Sequence, residues 1–363
     1  MHRFAFRCWL ILACALFIGA PAQAQFGGKD AELHKLAGSM IVTGFQGDDV
    51  GDAGFLHVYG QLKKGHVGGV IFFKDNIANP EQAQALNRAL KIASGRKNPL
   101  PILAIDEEGG RVQRLKAFDA PKPIDTVNQS PEARAAVFAG LAQSLAEAEF
   151  TLNLAPVVDL DSDVSPVIGR FGRAFSDDPD QVSTIATEMI EAHRAVGLGT
   201  SLKHFPGHGL ARADSHLGFV DVTDTWSSQE LVPFLNLIRA GRADAIMTAH
   251  IFNASLDPSH PATLSQPTIT GLLRDKLDFE GVVISDDLTM DAIDESYSLE
   301  DAVLLAVDAG VDILLTGNFN VREQDEAELI REILVQAVKD GRLSRARLQE
   351  SHDRILALRQ RFR

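Results

Sequence analysis

Two stretches of this 363-residue chain concentrate groups that move protons or attack carbon. The first, KHFPGHGLARADSH at residues 203 to 216, gathers a lysine, histidines and an aspartate. His204 and His208 stand four apart, a spacing that on a helix would present two zinc ligands on one face. Pro206 and Gly207 lie between them and disfavour an uninterrupted helix, so the stretch is predicted to be a loop. It ends in Asp214-Ser215-His216, where an aspartate can orient an imidazole and stabilise its charge. The ordinary histidine pKa, about 6.5, suits proton transfer near neutrality. The second stretch, VVISDD, closes an apolar run with Asp286 and Asp287. Alternation along a strand sends their side chains to opposite sides. One carboxylate is therefore expected to face a substrate as nucleophile, and spacing alone does not say which.

A third group lies earlier. Asp106, Glu107 and Glu108 precede Gly109-Gly110-Arg111 and Arg114, and Arg173 stands in GRFGRAFSDDP. The plain reading is an acid-rich loop neutralised by arginines; the functional one is a set of carboxylates and guanidiniums that grip sugar hydroxyls. Asp159, Asp161 and Asp163 alternate as in a calcium loop, but Val164 stands where the turn needs glycine and no closing glutamate follows. His250 reads as a hydrogen-bonded rim histidine, and Gly44–Gly54 as a flexible rim.

The elements that must hold these groups are legible in the apolar pattern. Short runs recur at Met40–Val42, Gly69–Phe73, Ile102–Ile105, Leu152–Pro156, Thr200–Lys203, Ala245–Ala249, Val282–Ser285 and Ile313–Thr316. Several are continuous Val/Ile/Leu runs, as parallel strands buried on both faces require. Between them, Asn79-Pro80, Ser130-Pro131, Asp178-Pro179 and Gln266-Pro267 read as helix starts with proline at the first position. Gly197, Gly241, Gly310 and Gly341 read as helix stops. The alternation predicts an α/β protein, a single-domain (β/α)8 barrel of TIM type, with Leu343–Arg359 as an added helix. In such a barrel the chemistry lies at the carboxyl ends of the strands, and Asp106, Lys203, His204 and Asp286 all fall there.

The ends and the composition narrow the class. Residues 1–24 have the layout of a secretory signal peptide: Arg3 and Arg7, an apolar stretch from Cys8 to Gly19, and Ala22-Gln23-Ala24 before the cut. Export to the periplasm or beyond, with residues 25–363 as the catalytic barrel, is the expectation; a lipoprotein signal ending at Cys14 fits less well. The stretch is too short and wrongly flanked for a membrane span. Both cysteines, Cys8 and Cys14, lie inside it, so the remaining chain has no thiol or disulfide chemistry. The net charge of −14 argues against nucleic acid or an anionic membrane as the main partner.

In wording and order, IDEEGGRVQRL, LNLAPVVDLD, GRAFSDDP, KHFPGHG followed by DSH, MTAHI and GVVISDDLTM resemble glycoside hydrolase family 3. Within it the chain is similar to the single-domain bacterial β-N-acetylglucosaminidases of the NagZ type. The resemblance implies that Asp286, directly after the strand serine, is the nucleophile. It implies that Asp214 and His216 form the acid–base dyad, and that Asp106, Arg114, Arg173, Lys203 and His204 bind sugar. Glu107 departs from the histidine or glutamine many relatives carry, which bears on substrate preference.

The expected reaction is removal of terminal β-linked GlcNAc from cell-wall muropeptides or chitooligosaccharides through a glycosyl-enzyme, without metal or organic cofactor. Most retaining glycosidases use two carboxylates; here a His–Asp pair replaces one. Glu107 and Glu108 are the next candidates for the acid. A β-glucosidase of the same family is the nearest alternative. A metal-dependent barrel hydrolase would enlist His204, His208 and Asp286, but the chain lacks the His-x-His pair with which such barrels usually begin. A non-catalytic sugar-binding protein would have no need of Asp214, His216 and Asp286 together. Beyond residue 24 the chain has one tryptophan, Trp226, and two tyrosines, Tyr59 and Tyr297, which leave little aromatic surface for stacking sugars.

Overall fold

Eight short strands carry the apolar runs into one closed sheet. A computed structural model describes residues 23–95, 99–214, 218–294, 296–317 and 325–362. The strands are β1 (Ile41–Thr43), β2 (Gly69–Phe72), β3 (Ile102–Ile105), β4 (Leu152–Asn153), β5 (Gly199–Phe205), β6 (Ala245–Thr248), β7 (Val282–Asp287) and β8 (Ile313–Thr316). Each pairs in parallel with its sequence neighbours, and β8 returns to β1 with Ile41 opposite Leu314, which closes the barrel. Helices occupy the connections. The expected (β/α)8 architecture is the one observed. The leader stretch, residues 1–22, and His216 lie outside the described residues.

Local chemistry sets the helix starts. Asn79, Ser130 and Asp178 accept the Gln82, Ala133 and Gln181 amides on their side chains, each just before a proline at the first helical position, where a missing N–H costs nothing. Gln266-Pro267 differs: Pro267–Lys276 winds as a π-helix, with the Leu277 amide reaching back five residues to the Leu272 carbonyl. In that wider coil Thr270 Oγ1 donates to the Ala309 carbonyl at 2.7 Å and Arg274 reaches Asp312 at 2.6 Å. The final helix runs over Arg345–Arg359, capped by Ser344. It packs with Glu326–Lys339 against Gln23–Ser39, an N-terminal helix outside the eight-fold repeat.

Strand limits shift where the chemistry lies. Strand β4 ends at Asn153, short of the expected Pro156, although Leu154 N still donates to the Ile105 carbonyl and the Ala155 and Pro156 carbonyls accept the Ser201 and Lys203 amides. The chain nonetheless runs on beside β5, with Val158 N donating to the Lys203 carbonyl at 2.8 Å. Both β5 and β7 run further than the apolar pattern suggests, so His204, Phe205, Asp286 and Asp287 are strand residues. The Gly44–Gly54 rim is more ordered than expected. Asp52 accepts the Asp48 and Asp49 amides, and the Asn76 side-chain amide donates to the Phe45 and Gly47 carbonyls.

Acidic residues at the opposite end of the barrel have another use. Buried Asp312, just before β8, is contacted by Arg274, Arg347 and Arg354; buried Asp244, just before β6, by Arg194 and Arg361. That face ties helices to strands, as the amino-terminal face of such barrels generally does.

Candidate active site

A cavity of about 510 Å³ opens at the carboxyl ends of the strands. Asp106, Arg114, Arg173, Lys203, His204, Asp214 and Asp286 all line it, so seven of the eight residues singled out in the sequence come together from four βα junctions, those of β3, β4, β5 and β7. The eighth, His216, is not among the described residues.

Its floor is an ion network. Lys203 is fully buried, and its Nζ lies 2.6 Å from Asp106 Oδ1 and 2.7 Å from Glu108 Oε1. Arg173 meets Glu108 with both guanidinium arms, Nε at 2.8 Å and Nη2 at 2.7 Å. Burial alone would push the Glu108 carboxyl up, but Arg173 and Lys203 outweigh it and hold it well below the carboxylate range. Burial likewise lowers Lys203, and Asp106 and Glu108 more than restore it. Glu108 is therefore held ionised, which removes it as a fallback proton donor. Its place is to fix two cations whose remaining donors border the cavity.

That placement predicts a stability effect. Glu108→Gln leaves two buried cations short of one charge, and breaking such a pair costs about 3–5 kcal/mol. A fall in the chemical-denaturation midpoint at pH 7 checks it. The Glu108 pKa is depressed on folding, so its contribution is complete above the unfolded value near 4.5 and is lost as pH falls through the lower folded value. The variant should lack that acid-dependent part.

Glu107 turns away. It is buried, does not line the cavity, and accepts the Arg114 and Leu115 amides on Oε2 at 2.6 and 2.9 Å. Burial raises its pKa and these donors oppose the rise. Glu107 thereby fixes the backbone of Arg114. The Arg114 Nε is buried with no hydrogen-bond partner among the described residues, as suits a donor that a substrate oxygen completes.

Asp159 organises the start of the 203–216 loop. Its Oδ2 lies 2.7 Å from His204 Nδ1, and its Oδ1 accepts the His204 and His208 amides at 3.0 and 2.8 Å. Burial pushes the His208 imidazole down to about 4, with His204 adding to the effect, so it is neutral at physiological pH. Both histidines are thus marshalled by Asp159, whereas the metal alternative had them converge with Asp286. The alternating aspartates hid this role: Asp159 looked like a member of a failed calcium motif.

Asp286 and Asp287 both border the cavity, and their hydrogen bonds differ. Asp287 spends both carboxylate oxygens on the protein: Oδ1 accepts the Thr289 amide and hydroxyl at 2.9 and 2.7 Å, and Oδ2 the Gly317 amide at 2.9 Å. Burial raises its pKa against those donors. Asp286 Oδ1 accepts the Asp287 amide at 2.8 Å, which orients the carboxylate that lines the cavity from the end of β7. His250 braces the same point, with Nε2 2.8 Å from the Asp287 carbonyl oxygen and Nδ1 2.8 Å from Thr263 Oγ1. A carbonyl can only accept, so Nε2 carries the proton.

Two lining aromatics were missed, Phe73 and Phe171. Phe171 borders the cavity with the Arg111 guanidinium 4.1 Å over its ring. Trp226, the indole noted in the sequence, lies behind the loop and donates to the Pro206 carbonyl at 3.0 Å. Nothing in the spacing of twenty phenylalanines marks Phe171 before the chain is folded.

A parallel eight-stranded barrel with carboxylates and guanidiniums converging at its strand ends is a frame for polyhydroxylated substrates, and comparison with known proteins places it. The glycosyl hydrolase family 3 N terminal domain matches residues 57–358. The chain belongs to this family and is a glycoside hydrolase. It is 38% identical over 265 residues to a protein named beta-hexosaminidase from Tolumonas auensis, covering 71% of this chain and 77% of that one. It is 37% identical over 300 residues to a beta-hexosaminidase from Xanthomonas oryzae pv. oryzae, covering 79% and 84%. Among solved structures, a family 3 beta-N-acetylglucosaminidase from Paenibacillus superposes with a TM-score of 0.82 at 32% identity. That match covers 91% of this chain but 62% of the Paenibacillus chain. A beta-N-acetylhexosaminidase from Beutenbergia cavernae gives 0.81 at 27% identity, covering 90% and 98%.

Proposed function

We propose that the chain is a retaining exo-β-N-acetylglucosaminidase. The observation that carries the mechanism lies at the end of β7: both aspartates border the cavity, but Asp287 commits its two carboxylate oxygens to Thr289 and Gly317. Asp286 attacks the anomeric carbon of a terminal β-linked GlcNAc as the glycosidic bond breaks, and His216 gives its proton to the leaving oxygen. His216, now neutral, takes a proton from water, whose oxygen displaces Asp286 and releases the sugar with retained configuration. Asp214 orients the imidazole and stabilises its charged form. Asp106, Arg114, Arg173, Lys203 and His204 hold the sugar hydroxyls. The names of the relatives support the hexosaminidase activity, and comparing p-nitrophenyl GlcNAc with p-nitrophenyl glucose tests it: turnover of the glucoside alone would overturn it in favour of a β-glucosidase.

The natural substrate in this reading is a GlcNAc-terminated cell-wall muropeptide or chitooligosaccharide, met outside the cytoplasm. The leader sequence is the support for export, and the mature protein is expected to begin at Gln25. Finding Met1 retained on a cytoplasmic pool by N-terminal sequencing would refute it. Among the described residues no helix is long and apolar enough to cross a membrane.

A further inference from the structure

The loop that carries Asp214 does not leave the barrel freely. One short segment, Trp226 to Glu230, grips its stem. Trp226 holds the Pro206 carbonyl. Glu230 is completely buried and accepts the Leu210 amide on Oε1 at 3.0 Å and the Leu160 amide on Oε2 at 3.2 Å. The Gly209 amide bonds to the same carboxyl group. Gly207 lies directly over the Glu230 stem at φ +115°, and a Cβ there would stand 2.3 Å from Glu230 Cβ. Gly209 presses on the other wall, where a Cβ would meet the Leu160 carbonyl oxygen at 1.9 Å. The stem is thus clamped between Glu230 and the strand-four loop, with Asp159 holding the His204 and His208 amides from that loop. Beyond Leu210 these clasps end, and four residues later Asp214 lines the cavity.

We infer that Glu230 is a positioning residue for catalysis: its carboxyl group, bonded at once to Leu160 and Leu210 beneath Gly207, sets where the acid–base arm leaves the barrel and so where Asp214 stands. A group placed only for stability would not need to join the two loops that border the cavity. Among the described residues no lysine or arginine pairs with it, and the titratable groups about the stem are Asp159, His204 and His208. Burial, then the Asp159 charge, pushes its carboxyl up, against the Leu160, Leu210 and Gly209 amides, which favour the charged form. An amide side chain of the same shape is the conservative replacement, keeping one acceptor and losing the other.

The inference rests on the reading of the Asp214 loop as the acid–base arm. Its test compares kcat/KM for a GlcNAc disaccharide, whose leaving oxygen needs a proton, with that for p-nitrophenyl GlcNAc, whose leaving group does not. Full-length Glu230→Gln, Glu230→Ala and Asp214→Ala are measured beside the unaltered protein, together with inhibition by free GlcNAc. Misplacing the arm should lower the disaccharide-to-aryl ratio about tenfold or more in Glu230→Ala, within the ~10²–10⁴ that general acid assistance supplies. Glu230→Gln should lose less in the same sense, and GlcNAc inhibition should shift far less than the ratio. If Glu230→Ala fails to fold, the ratio in Glu230→Gln decides. If Asp214→Ala lowers the ratio and the Glu230 variants lose both substrates equally or neither, Glu230 is only structural and the inference falls alone. An unchanged ratio in Asp214→Ala overturns the acid–base reading and takes the inference with it.

Discussion

Asp286→Ala should abolish turnover of even an activated aryl glycoside, because no leaving group, however stable, removes the need for attack at the anomeric carbon. Deleting a nucleophile from a covalent mechanism costs on the order of 10⁴–10⁶ in kcat. The Asp286 carboxylate stands at the edge of the cavity and accepts the amide next to it in sequence. Asp287→Ala makes the contrast. It strips the Thr289 and Gly317 amides of their acceptor, so it should lower stability as well as rate, by about 1–3 kcal/mol for the buried donors left unsatisfied. A 5-fluoro GlcNAc donor, which accumulates the glycosyl-enzyme, separates the two directly. Peptide mass spectrometry should find the label on Asp286, and a label on Asp287 would reverse the assignment.

Loss of His216 should matter in proportion to how badly the leaving group needs a proton. His216→Ala is expected to spare much of the first step for p-nitrophenyl GlcNAc and to slow deglycosylation, so the intermediate accumulates. With a sugar leaving group both steps should suffer, within the ~10²–10⁴ typical of general acid–base assistance. Asp214→Ala should follow the same pattern more mildly, since the imidazole survives but loses its charge partner. Both variants should lose the near-neutral limb of the pH profile. Azide needs no base to activate it, so it should rescue His216→Ala and yield a β-glycosyl azide. No rescue, with equal losses on both substrates, would make His216 a binding residue. The acid would then have to come from elsewhere, and neither earlier substitute is suited to it: Glu108 is held ionised by Arg173 and Lys203, and Glu107 is spent on backbone amides.

The barrel was legible because its determinants are local. Continuous runs such as Ile102–Ile105 and Ile313–Thr316 can only be strands buried on both faces, and Asn79-Pro80 or Ser130-Pro131 announces a helix within four residues. The site was legible to the extent that strand ends carry it. Asp106, Lys203, His204 and Asp286 were found by counting from apolar runs, without knowing what lay across the barrel. The bounds that moved outward were those where an apolar pattern stops before the hydrogen-bond ladder does, as at Phe205 and Asp287.

Chain composition and order by themselves determined the closed parallel barrel, the end at which it works and the residue types gathered there. Periodicity, capping and turn chemistry act over a few residues and are written in consecutive letters. Tertiary structure decided which of those residues remain for substrate. Asp286 and Asp287 are adjacent and chemically identical, and what separates them is the Gly317 amide, thirty residues on. Glu108 became an ion-pair anchor through Arg173, sixty-five residues away. Glu107 turned to the backbone, Asp159 became the partner of His204, and Glu230 was unremarked until Leu160 and Leu210 closed on it. Each of these roles depends on whether a carboxylate meets a cation, an amide or open cavity, and such a meeting is made only when distant segments fold together.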